Sequence, residues 1–375
     1  MYKEDAARLL DNGHGVSYPA ERVYEEEGIC TYRAQISGLE PGAYLYRAVD
    51  QSSSDVHCFT VQSLDDGFSF LCHGDPQITD GDEADVMEDH SRRDRQGDPQ
   101  GGDEADVMED YLQLAEYAMD GDRPQLILSL GDQVDEAGNE EQYRRFTGVS
   151  LLKEVPLAAV VGNHERESRM FSRAFCLPNM DPATESSSGD MSGDYWFSRG
   201  NTLFLCLNSN NEDAQAHRDF LLQAIQDCAE RYGEPVWTVA AFHHSLFSAG
   251  RHAEDETVMD LRAPYTPMLE EAGVDVVFSG HDHAYTRSWP MDGQSPLQEK
   301  SSGGIVYFTL GSPTGSKFYK LNGDEPEYAA FCNGEPEPTM TRVDVTDDAF
   351  TVTTYQKSEE GIVMLDTFQI RQSRR

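Results

Sequence analysis

The stretch VDVVFSGHDH, residues 274–283, decides the fold class of this chain. It is an apolar run that ends at Gly280 and then carries two histidines, His281 and His283. A short apolar run bounded by glycine and polar residues is typical of a buried strand. When such strands alternate with helices, the polar residues that follow them gather at the carboxyl edge of the sheet, where ligands bind. The stretch therefore predicts an α/β protein whose functional edge carries histidines.

Four more apolar runs end in polar residues, three of them after a glycine and one in two histidines, with helical patterns between the runs. The runs are FSFLCHGD (68–75), LILSLGD (126–132), PLAAVVGNHE (156–165) and VWTVAAFHH (236–244). Further strands are predicted at 201–210 and 304–312, with a hairpin at 341–356 and a closing strand at 363–370. These patterns indicate a large α/β domain that begins near the first of the runs.

The N-terminal part has a different rhythm. Alternating segments at 30–39, 42–49 and 57–63 are separated by turn-rich residues and predict three or four strands. So few strands make half of a β-sandwich and leave an open edge. We expect this piece either to lean on the next domain or to lack an upstream part.

Acidic residues dominate the chain, because 68 Asp plus Glu stand against 29 Lys plus Arg, giving a net charge of -39. Such a field repels nucleic-acid backbones and anionic membranes. No apolar run approaches the roughly 20 residues that span a bilayer. We therefore expect neither a nucleic-acid nor a membrane partner, and the composition leaves the oligomeric state open.

Cysteine usage and the N-terminus bear on the compartment. The 7 cysteines are scattered without CxxC pairs, and an odd number suits reduced, buried thiols. The start MYKEDAARLL lacks the apolar core of a signal peptide. The sequence as given predicts a cytoplasmic protein, whereas a chain truncated at its N-terminus would fit secretion or the cell surface.

An internal repeat raises the question of which copy belongs to the fold. GDPQ occurs at 74–77 and 97–100, and each copy is followed by GDEADVMED, at 81–89 and 102–110. A strand-like run precedes the first GDPQ, but helical spacing continues only after the second GDEADVMED. We expect Asp75 to follow the strand, the helix to come from the second copy, and residues near 79–101 to form a duplicated surface insertion. Asp98 is then a solvated side chain.

The polar residues at the strand ends have the chemistry of metal ligands. They are Asp75, Asp132, Asn163, His164, His243, His244, His281 and His283. Carboxylate, carboxamide and imidazole without thiolate suit two cations such as Zn, Fe or Mn. Each short motif alone reads as an ordinary turn, but their ordered series after successive strands favours a metal site. Glycines 74, 131, 162 and 280 would let the backbone turn sharply beside it.

The motifs GD, GDQVD, GNHE, FHH and GHDHAYTRS, in this order, resemble those of the calcineurin-like metallophosphoesterases, in the purple-acid-phosphatase-like branch. The resemblance covers about residues 67–372 and implies a sandwich of two β-sheets flanked by helices. ISGLEPGAYLYRA, at 36–48, resembles the last strands of the fibronectin-type-III-like domain that precedes the catalytic domain in that branch. The implied domains are a partial fibronectin-III-like segment at 1–66 and a catalytic domain at 67–375.

The resemblance also implies roles for the strand-end residues. Asp75 and His283 would bind metal one, Asp132 would bridge both metals, and metal two would take the remaining ligands, Asn163, His243 and His281. His164 would lie outside the metals as a catalytic residue. His244 would act beside the metals or on the substrate side, although the opposite order of His243 and His244 stays open.

Two departures concern metal one. The purple enzymes carry a tyrosine three residues after the bridging Asp, where this chain has Asp135. The wider superfamily often has DxH at the first motif, where Gln77 replaces the histidine. Metal one therefore either gains a carboxylate or keeps a more open shell, and iron–tyrosine colour is not expected.

The implied activity is hydrolysis of phosphate monoesters of small molecules. Two cations about 3.5 to 4 Å apart lower the pKa of a shared water from 15.7 towards about 7, so a bridging hydroxide can attack phosphorus in line. His164 could stabilise the leaving alkoxide as imidazolium. A phosphodiesterase on the same site and a non-catalytic phosphate-binding protein are the alternatives.

Residues beyond the last motif have two interpretations each. Arg287 could face phosphate or brace the loop through a buried carboxylate, and Tyr285 lies beside it. The Gly/Ser/Pro-rich stretch 288–304 could be a lid that shapes the substrate site or a plain loop.

Overall fold

The computed structural model describes residues 15–26, 29–49, 55–64, 67–79, 104–121, 123–187, 189, 191–297 and 303–372. The strands are β1 (Glu21–Glu26), β2 (Ile29–Arg33), β3 (Gly42–Tyr46), β4 (His57–Val61), β5 (Phe68–His73), β6 (Ile127–Ser129), β7 (Leu157–Ala159), β8 (Tyr195–Arg199), β9 (Thr202–Cys206), β10 (Trp237–Ala241), β11 (Val276–Ser279), β12 (Tyr285–Ser288), β13 (Met291–Asp292), β14 (Ser295–Pro296), β15 (Val306–Thr309), β16 (Ala329–Asn333), β17 (Thr339–Val345), β18 (Ala349–Ser358) and β19 (Gly361–Arg371). The helices are α1 (Glu104–Met119), α2 (Glu140–Gly148), α3 (Ser150–Glu154), α4 (Met170–Ala174), α5 (Ala214–Tyr232) and α6 (Glu256–Glu271), with a 3₁₀ turn at Pro182–Thr184.

Two large β-sheets form the centre of the molecule. One sheet has six strands in the order β19-β18-β17-β5-β6-β7, and the other has seven in the order β16-β12-β15-β11-β10-β9-β8. Strands β5, β6 and β7 are parallel, as are β9, β10, β11 and β15. Both sheets therefore present carboxyl strand ends from which ligand-bearing loops emerge.

The inner faces of the two sheets bury a core rich in aromatic rings. Phe70 of the six-stranded sheet packs edge-on against Phe204 and Phe278 of the other sheet, at centroid distances of 5.5 and 6.3 Å. These three side chains are fully buried. Burying each is worth about 1.5–3 kcal/mol, so the inter-sheet layer provides a rigid base for the loops above it.

Helices cover the outer faces. Phe220 and Leu221 of α5 and Leu261 and Leu269 of α6 join the cluster behind the seven-stranded sheet. Tyr111 of α1 belongs to the cluster behind the six-stranded sheet. The predicted sandwich of two β-sheets flanked by helices is confirmed.

Helix α1 begins at Glu104, inside the second GDEADVMED, so the helix does follow from that copy. The first GDPQ follows β5, as expected. The predicted duplicated insertion, including Asp98 and the first GDEADVMED, lies outside the described residues.

The N-terminal segment contains β structure, as predicted, in two separate antiparallel pairs, β1-β2 and β3-β4. It does lean on the larger part: the Arg33 guanidinium donates to the carbonyls of Ser172 and Phe175, and the Tyr46 hydroxyl donates to that of Lys153 at 2.6 Å. These pairs are compatible with a fibronectin-III-like segment, and the domain boundary at 66/67 stays a prediction.

The stretch 288–304 corrects one interpretation. Strand β12 runs antiparallel to β15, which itself is parallel to β11, so the chain returns to the amino end of the parallel strands before the stretch begins. There Met291 is buried and pairs with Ile305. The described part of the stretch, 288–297 and 303–304, lies at the opposite end of the sheet from the ligand-bearing loops. The lid interpretation is wrong for these residues.

The expectation of buried cysteine thiols is met at only three of the seven positions, since Cys176 is exposed and the remaining three are partly buried. All seven cysteines are free thiols, and Cys72, Cys206 and Cys228 are buried. Within the described part of the chain, no helix combines the length and the apolar character needed to cross a bilayer.

Candidate metal centre

Four of the predicted metal ligands have strained backbone. Asp75, Asp132, His281 and His283 all have positive φ, at 39, 49, 73 and 46°. Left-handed conformations cost non-glycine residues of order 1–3 kcal/mol and persist where surrounding structure enforces them. Each of these residues lies in the loop after a strand: Asp75 and His281 are two residues beyond the strand end, Asp132 three and His283 four. The sharp turns there aim the side chains into the space above the sheets.

Two glycines lie so close to the Asp75 and Asp132 side chains that a Cβ at either position would clash. A Cβ on Gly280 would lie 2.6 Å from an Asp75 carboxylate oxygen, and one on Gly162 would overlap the Asp132 side chain. The expectation that glycines let the backbone approach the site closely is confirmed at both positions.

The centre of the cluster consists of two buried carboxylates and an imidazole. Asp75, Asp132 and His243 each offer a ligand atom, and these atoms lie within 4.8 Å of one another. The His243 Nε2 is 3.2 Å from Asp132 Oδ2 and 4.0 Å from Asp75 Oδ1. Its Nδ1 donates to the Leu130 carbonyl at 2.8 Å, which leaves Nε2 pointing at the carboxylates. Donation of the other ring N–H to a backbone carbonyl is the usual arrangement of a ligating histidine.

Asn163 and His281 extend the cluster on one side. The Asn163 Oδ1 lies 3.0 Å from His243 Nε2 and 2.9 Å from His281 Nδ1. The backbone N–H of His281 donates to the Asp75 carboxylate at 2.9 Å. One side of the cluster thus joins a carboxamide oxygen and two ring nitrogens, and His243 links these atoms to Asp132.

His283 extends the cluster on the other side. Its Nε2 is 3.5 Å from Asp75 Oδ1, and its Nδ1 donates to the Lys317 carbonyl at 3.0 Å. Like His243, it places one ring nitrogen at a backbone carbonyl and turns the other towards a carboxylate, the orientation that a metal ligand requires. The structure therefore brings all six predicted ligands into one connected group.

The electrostatics of the group suit bound cations. Burial raises the pKa of Asp75, since the ionised carboxylate is removed from water. Burial alone would lower the pKa of His243, but the charges of Asp132 and Asp75 raise it to about 10. Burial lowers the pKa of His283 to about 3, which keeps this imidazole neutral and able to ligate. Two adjacent buried carboxylates need positive charge beyond one histidine, so these residues fit a metal pair.

Gln77 offers a second sign of fit. Its side chain is buried, and its Oε1 has no hydrogen-bond partner among the described residues. An orphaned buried carbonyl oxygen is costly and calls for an ion, a water or another donor.

His164 lies at the edge of the cluster. Its Nδ1 approaches the Asp135 carbonyl at 2.7 Å, and its Nε2 is 4.0 Å from Asp132 Oδ2 and 3.0 Å from Gln77 Nε2. Its side chain is 27% exposed, whereas that of His243, which also lies near Asp132, is fully buried. This position is outside the six ligands, where the sequence places it.

The neighbour of His243 points elsewhere. The His244 Nδ1 is hydrogen-bonded to the Ser209 hydroxyl at 2.8 Å, and its ring centroid lies 4.7 Å from that of His281, with the two planes tilted by 50°. Burial and the adjacent charge of His243 lower the pKa of His244 to about 3. These contacts favour His243 over His244 as the ligand, with His244 packed behind the site.

Asp135 turns towards His164 instead of towards Asp75. Its Oδ1 accepts from Gln77 Nε2 at 3.0 Å and lies 3.3 Å from His164 Nδ1. The two residues that depart from the family pattern thus contact each other. Of the two possibilities for metal one, this arrangement favours the more open shell.

A family model for calcineurin-like phosphoesterases matches residues 53–285. The chain belongs to the calcineurin-like phosphoesterase family. A purple acid phosphatase of Glycine max is 23% identical over 283 residues, which are 67% of this chain and 58% of that protein. The resemblance to the purple-acid-phosphatase-like branch is confirmed.

Solved structures share the fold. That of purple acid phosphatase PPD1 from yellow lupin (Lupinus luteus) has a TM-score of 0.60 at 15% identity, covering 85% of this chain and 57% of its own. GAP50, the anchor in the inner membrane complex of Plasmodium, has a TM-score of 0.52 at 13% identity, covering 82% and 89%. This calcineurin-like phosphoesterase covers little more than half the length of the Glycine max and lupin proteins.

Glu165, in the GNHE motif of this calcineurin-like phosphoesterase, has a function that the sequence reasoning missed. Its fully buried carboxylate accepts from the backbone N–H groups of Asp132, Gln133, Val134 and Gly162, at 2.9, 2.6, 3.3 and 2.6 Å. Burial and the charge of Asp132 raise the pKa of Glu165 to about 8. The carboxylate holds the GDQVD and GNHE loops together. In the sequence, only its place within the GNHE motif indicated that Glu165 could be important.

Replacing Glu165 with alanine should destabilise the protein by about 3 kcal/mol or more, because four backbone donors would lose their acceptor in a buried place. Urea unfolding followed by circular dichroism measures the change. Glu167, two residues away and exposed, supplies the control as Glu167→Ala, which should stay within about 0.5 kcal/mol of wild type. Equal free energies of unfolding for Glu165→Ala and the control would show that the hydrogen bonds to the Glu165 carboxylate contribute little to stability.

A second group of residues that the sequence did not reveal lies beside the metal ligands. The His252 ring is 4.7 Å from that of His281, and its Nδ1 is 2.6 Å from Asp255 Oδ2. Tyr319 packs against both His252 and His283, at 5.1 and 4.9 Å. No short motif marks these residues, because their loops meet only in the folded chain.

Arg287 braces the two sheets and does not face the site. Its Nε donates to Asp366 Oδ2 at 2.7 Å, and the Tyr285 hydroxyl donates to the same oxygen at 2.9 Å. The interpretation of Arg287 as a brace through a carboxylate is therefore confirmed over the phosphate-facing one. Asp366 lies on β19, so the last strand secures β12, which follows His283.

Proposed function

We propose that this chain is a dinuclear metal-dependent hydrolase of phosphate monoesters. The observation that carries the proposal is the convergence of six side chains, two of them buried carboxylates, at the carboxyl ends of strands from both sheets. Family membership supports a phosphoesterase, and the matched purple acid phosphatase supports the phosphatase class.

The contacts support one division of the ligands. Metal one would take Asp75 and His283, metal two would take Asn163, His243 and His281, and Asp132 would bridge the two. Oxygen and imidazole donors without thiolate suit Fe, Zn or Mn, in divalent or mixed-valence pairs. Bound there, two cations would supply the charge that activates the attacking water and binds the phosphoryl oxygens.

The residues of this chain would do the remaining work. Asp132, through Oδ1, accepts from the backbone N–H of His164 at 2.9 Å and thereby fixes the loop that carries this ring. His164 would then hold a proton near the leaving-group oxygen, since its partly exposed ring lies just outside the ligands. His244, packed against Ser209 and His281, would position the His281 ring instead of meeting the substrate.

Two alternatives stay distinct. A phosphodiesterase would use the same ligands and differ only in accepting a second ester arm. A non-catalytic family member would bind phosphate without turning it over, and the printed description of GAP50 as an anchor shows that proteins of this fold include ones named for attachment.

Hydrolysis of p-nitrophenyl phosphate and of bis-p-nitrophenyl phosphate by protein reconstituted with Fe, Zn or Mn tests the proposal. We expect metal content to approach two ions per chain and kcat/KM to favour the monoester by about tenfold or more. A preference for the bis ester would assign a phosphodiesterase, and metal-loaded protein inactive on both esters would support the non-catalytic alternative.

A further inference from the structure

We propose that the substrate carries a second anionic group, which binds Arg251 and Lys317 beside the Tyr319 ring. This inference rests on the proposed function and adds a substrate class to it: phosphate esters of alcohols that themselves bear a negative charge.

The location follows from ring contacts. Tyr319 packs against His283 of the ligand group on one side and against His252 on another. His252 in turn contacts His281. Tyr319 is therefore part of the wall directly beside the proposed metals, and it is only half-buried.

Both cations lie over this ring. The guanidinium carbon of Arg251 is 5.3 Å from the Tyr319 centroid, and the Lys317 ammonium nitrogen is 5.8 Å from it. Both distances fall within the range of about 6 Å over which a cation is attracted to an aromatic face. Two positive charges thus approach the one ring of Tyr319. Burial raises the pKa of Tyr319, and the charges of Lys317 and Arg251 oppose that rise.

The segment that carries Lys317 and Tyr319 is tied to the site. The Lys317 carbonyl accepts from His283, and the hydroxyls of Thr314 and Ser316 donate to the Pro76 carbonyl at 2.7 and 3.1 Å. The N–H of Asn322 donates to Ala249 in the loop of Arg251, at 2.8 Å. The two cations are thus held in a fixed relation to the ligand group, as a specificity site requires.

The positive charges of Arg251 and Lys317 contrast with the overall charge of the chain. The chain has a net charge of -39, so its general field opposes an anionic substrate. At physiological ionic strength that field is screened over about 8 Å, and nearby charges decide binding. Arg251 and Lys317 both approach the Tyr319 ring, whereas Asp75 and Asp132 face the histidines of the ligand group. The group bound by Arg251 and Lys317 would therefore lie beside the reacting phosphate and not in its place.

Matched substrates test the proposal. We would compare 3- and 4-carboxyphenyl phosphate with the corresponding carboxamides, which keep the ring and the ester but lack the charge. Wild-type protein should hydrolyse at least one carboxylate with a kcat/KM about tenfold or more above its amide, and added salt should reduce the difference. Arg251→Gln and Lys317→Gln should each remove most of this preference and leave the amides within about twofold of wild type.

The control is Arg144→Gln, an exposed arginine paired with Glu140 on α2. It should preserve the carboxylate preference. Binding of 4-carboxybenzylphosphonate against its carboxamide, followed by calorimetry, gives a second readout that needs no turnover and should show the same preference and the same losses.

The outcomes separate the two proposals. Equal kcat/KM and equal phosphonate binding for carboxylate and amide would overturn the second-anion site while leaving the phosphatase intact. Equal losses for both substrates in Arg251→Gln and Lys317→Gln would also overturn it, because the cations would then bind the reacting phosphate. Absence of all hydrolysis with selective phosphonate binding would instead remove the proposed function and keep the anion site.

Discussion

Replacing Asp132 with asparagine should lower kcat by about a thousandfold or more and leave fewer than two metal ions bound. Its carboxylate lies between His243 Nε2, 3.2 Å from Oδ2, and the backbone N–H of His164, which donates to Oδ1. A neutral amide cannot bridge two cations with the same charge, and its NH₂ would face either the metals or the His164 N–H. Loss of the bridge therefore affects both ions at once.

The measurement combines metal analysis with single-turnover and steady-state kinetics on p-nitrophenyl phosphate. Asp292→Asn is the matched control, since Asp292 is an exposed carboxylate in the small hairpin at the far end of the sheet. It should retain wild-type activity. An active Asp132→Asn protein with two ions bound would exclude the proposed arrangement of ligands.

The second large effect concerns the internal repeat. Asp75→Ala should abolish activity, because it removes the buried carboxylate that accepts from His281 and faces His283. Asp98→Ala, at the equivalent position of the second GDPQ, should stay within about twofold of wild type, as expected for a solvated side chain. The pair is an internal control, since the same residue is changed within the same four-residue motif.

Metal content distinguishes the copies independently of turnover. Asp75→Ala should lose an ion, and Asp98→Ala should keep both. Comparable losses in the two variants would mean that the assignment of the copies is wrong, whatever the substrate of the protein.

Local patterns were sufficient to predict most of the scaffold. Runs such as those ending at Asp75 and Asp132 combine burial, length and a terminal glycine, and all of them became strands at the expected places. The ligand residues lie within a few positions of the ends of these strands, so strand prediction also brought them to one edge. Strands β8, β12, β13, β14 and β16 were missed.

Features that depend on tertiary contact could not be predicted. The Glu165 carboxylate accepts from N–H groups about 30 residues away in the chain, at sequence separations of 31 to 33 for three of the four. Nothing in the order of residues shows which loops will meet at Tyr319. The direction of β12 likewise decides where 288–304 lies, and direction follows from pairing with β15, not from local composition.

The left-handed backbone at Asp75, Asp132, His281 and His283 lowers the free energy of unfolding of the protein without bound metal. Glycine would adopt these conformations without penalty, so each of the four positions trades thermal robustness for a donor atom. A glycine substitution at any of these positions would therefore remove a metal ligand and relieve backbone strain at the same time. We therefore expect a glycine variant at one of these positions to be inactive and to melt at a higher temperature than the wild-type protein. Such a gain in melting temperature would show that the native residue is kept for its donor atom and not for stability.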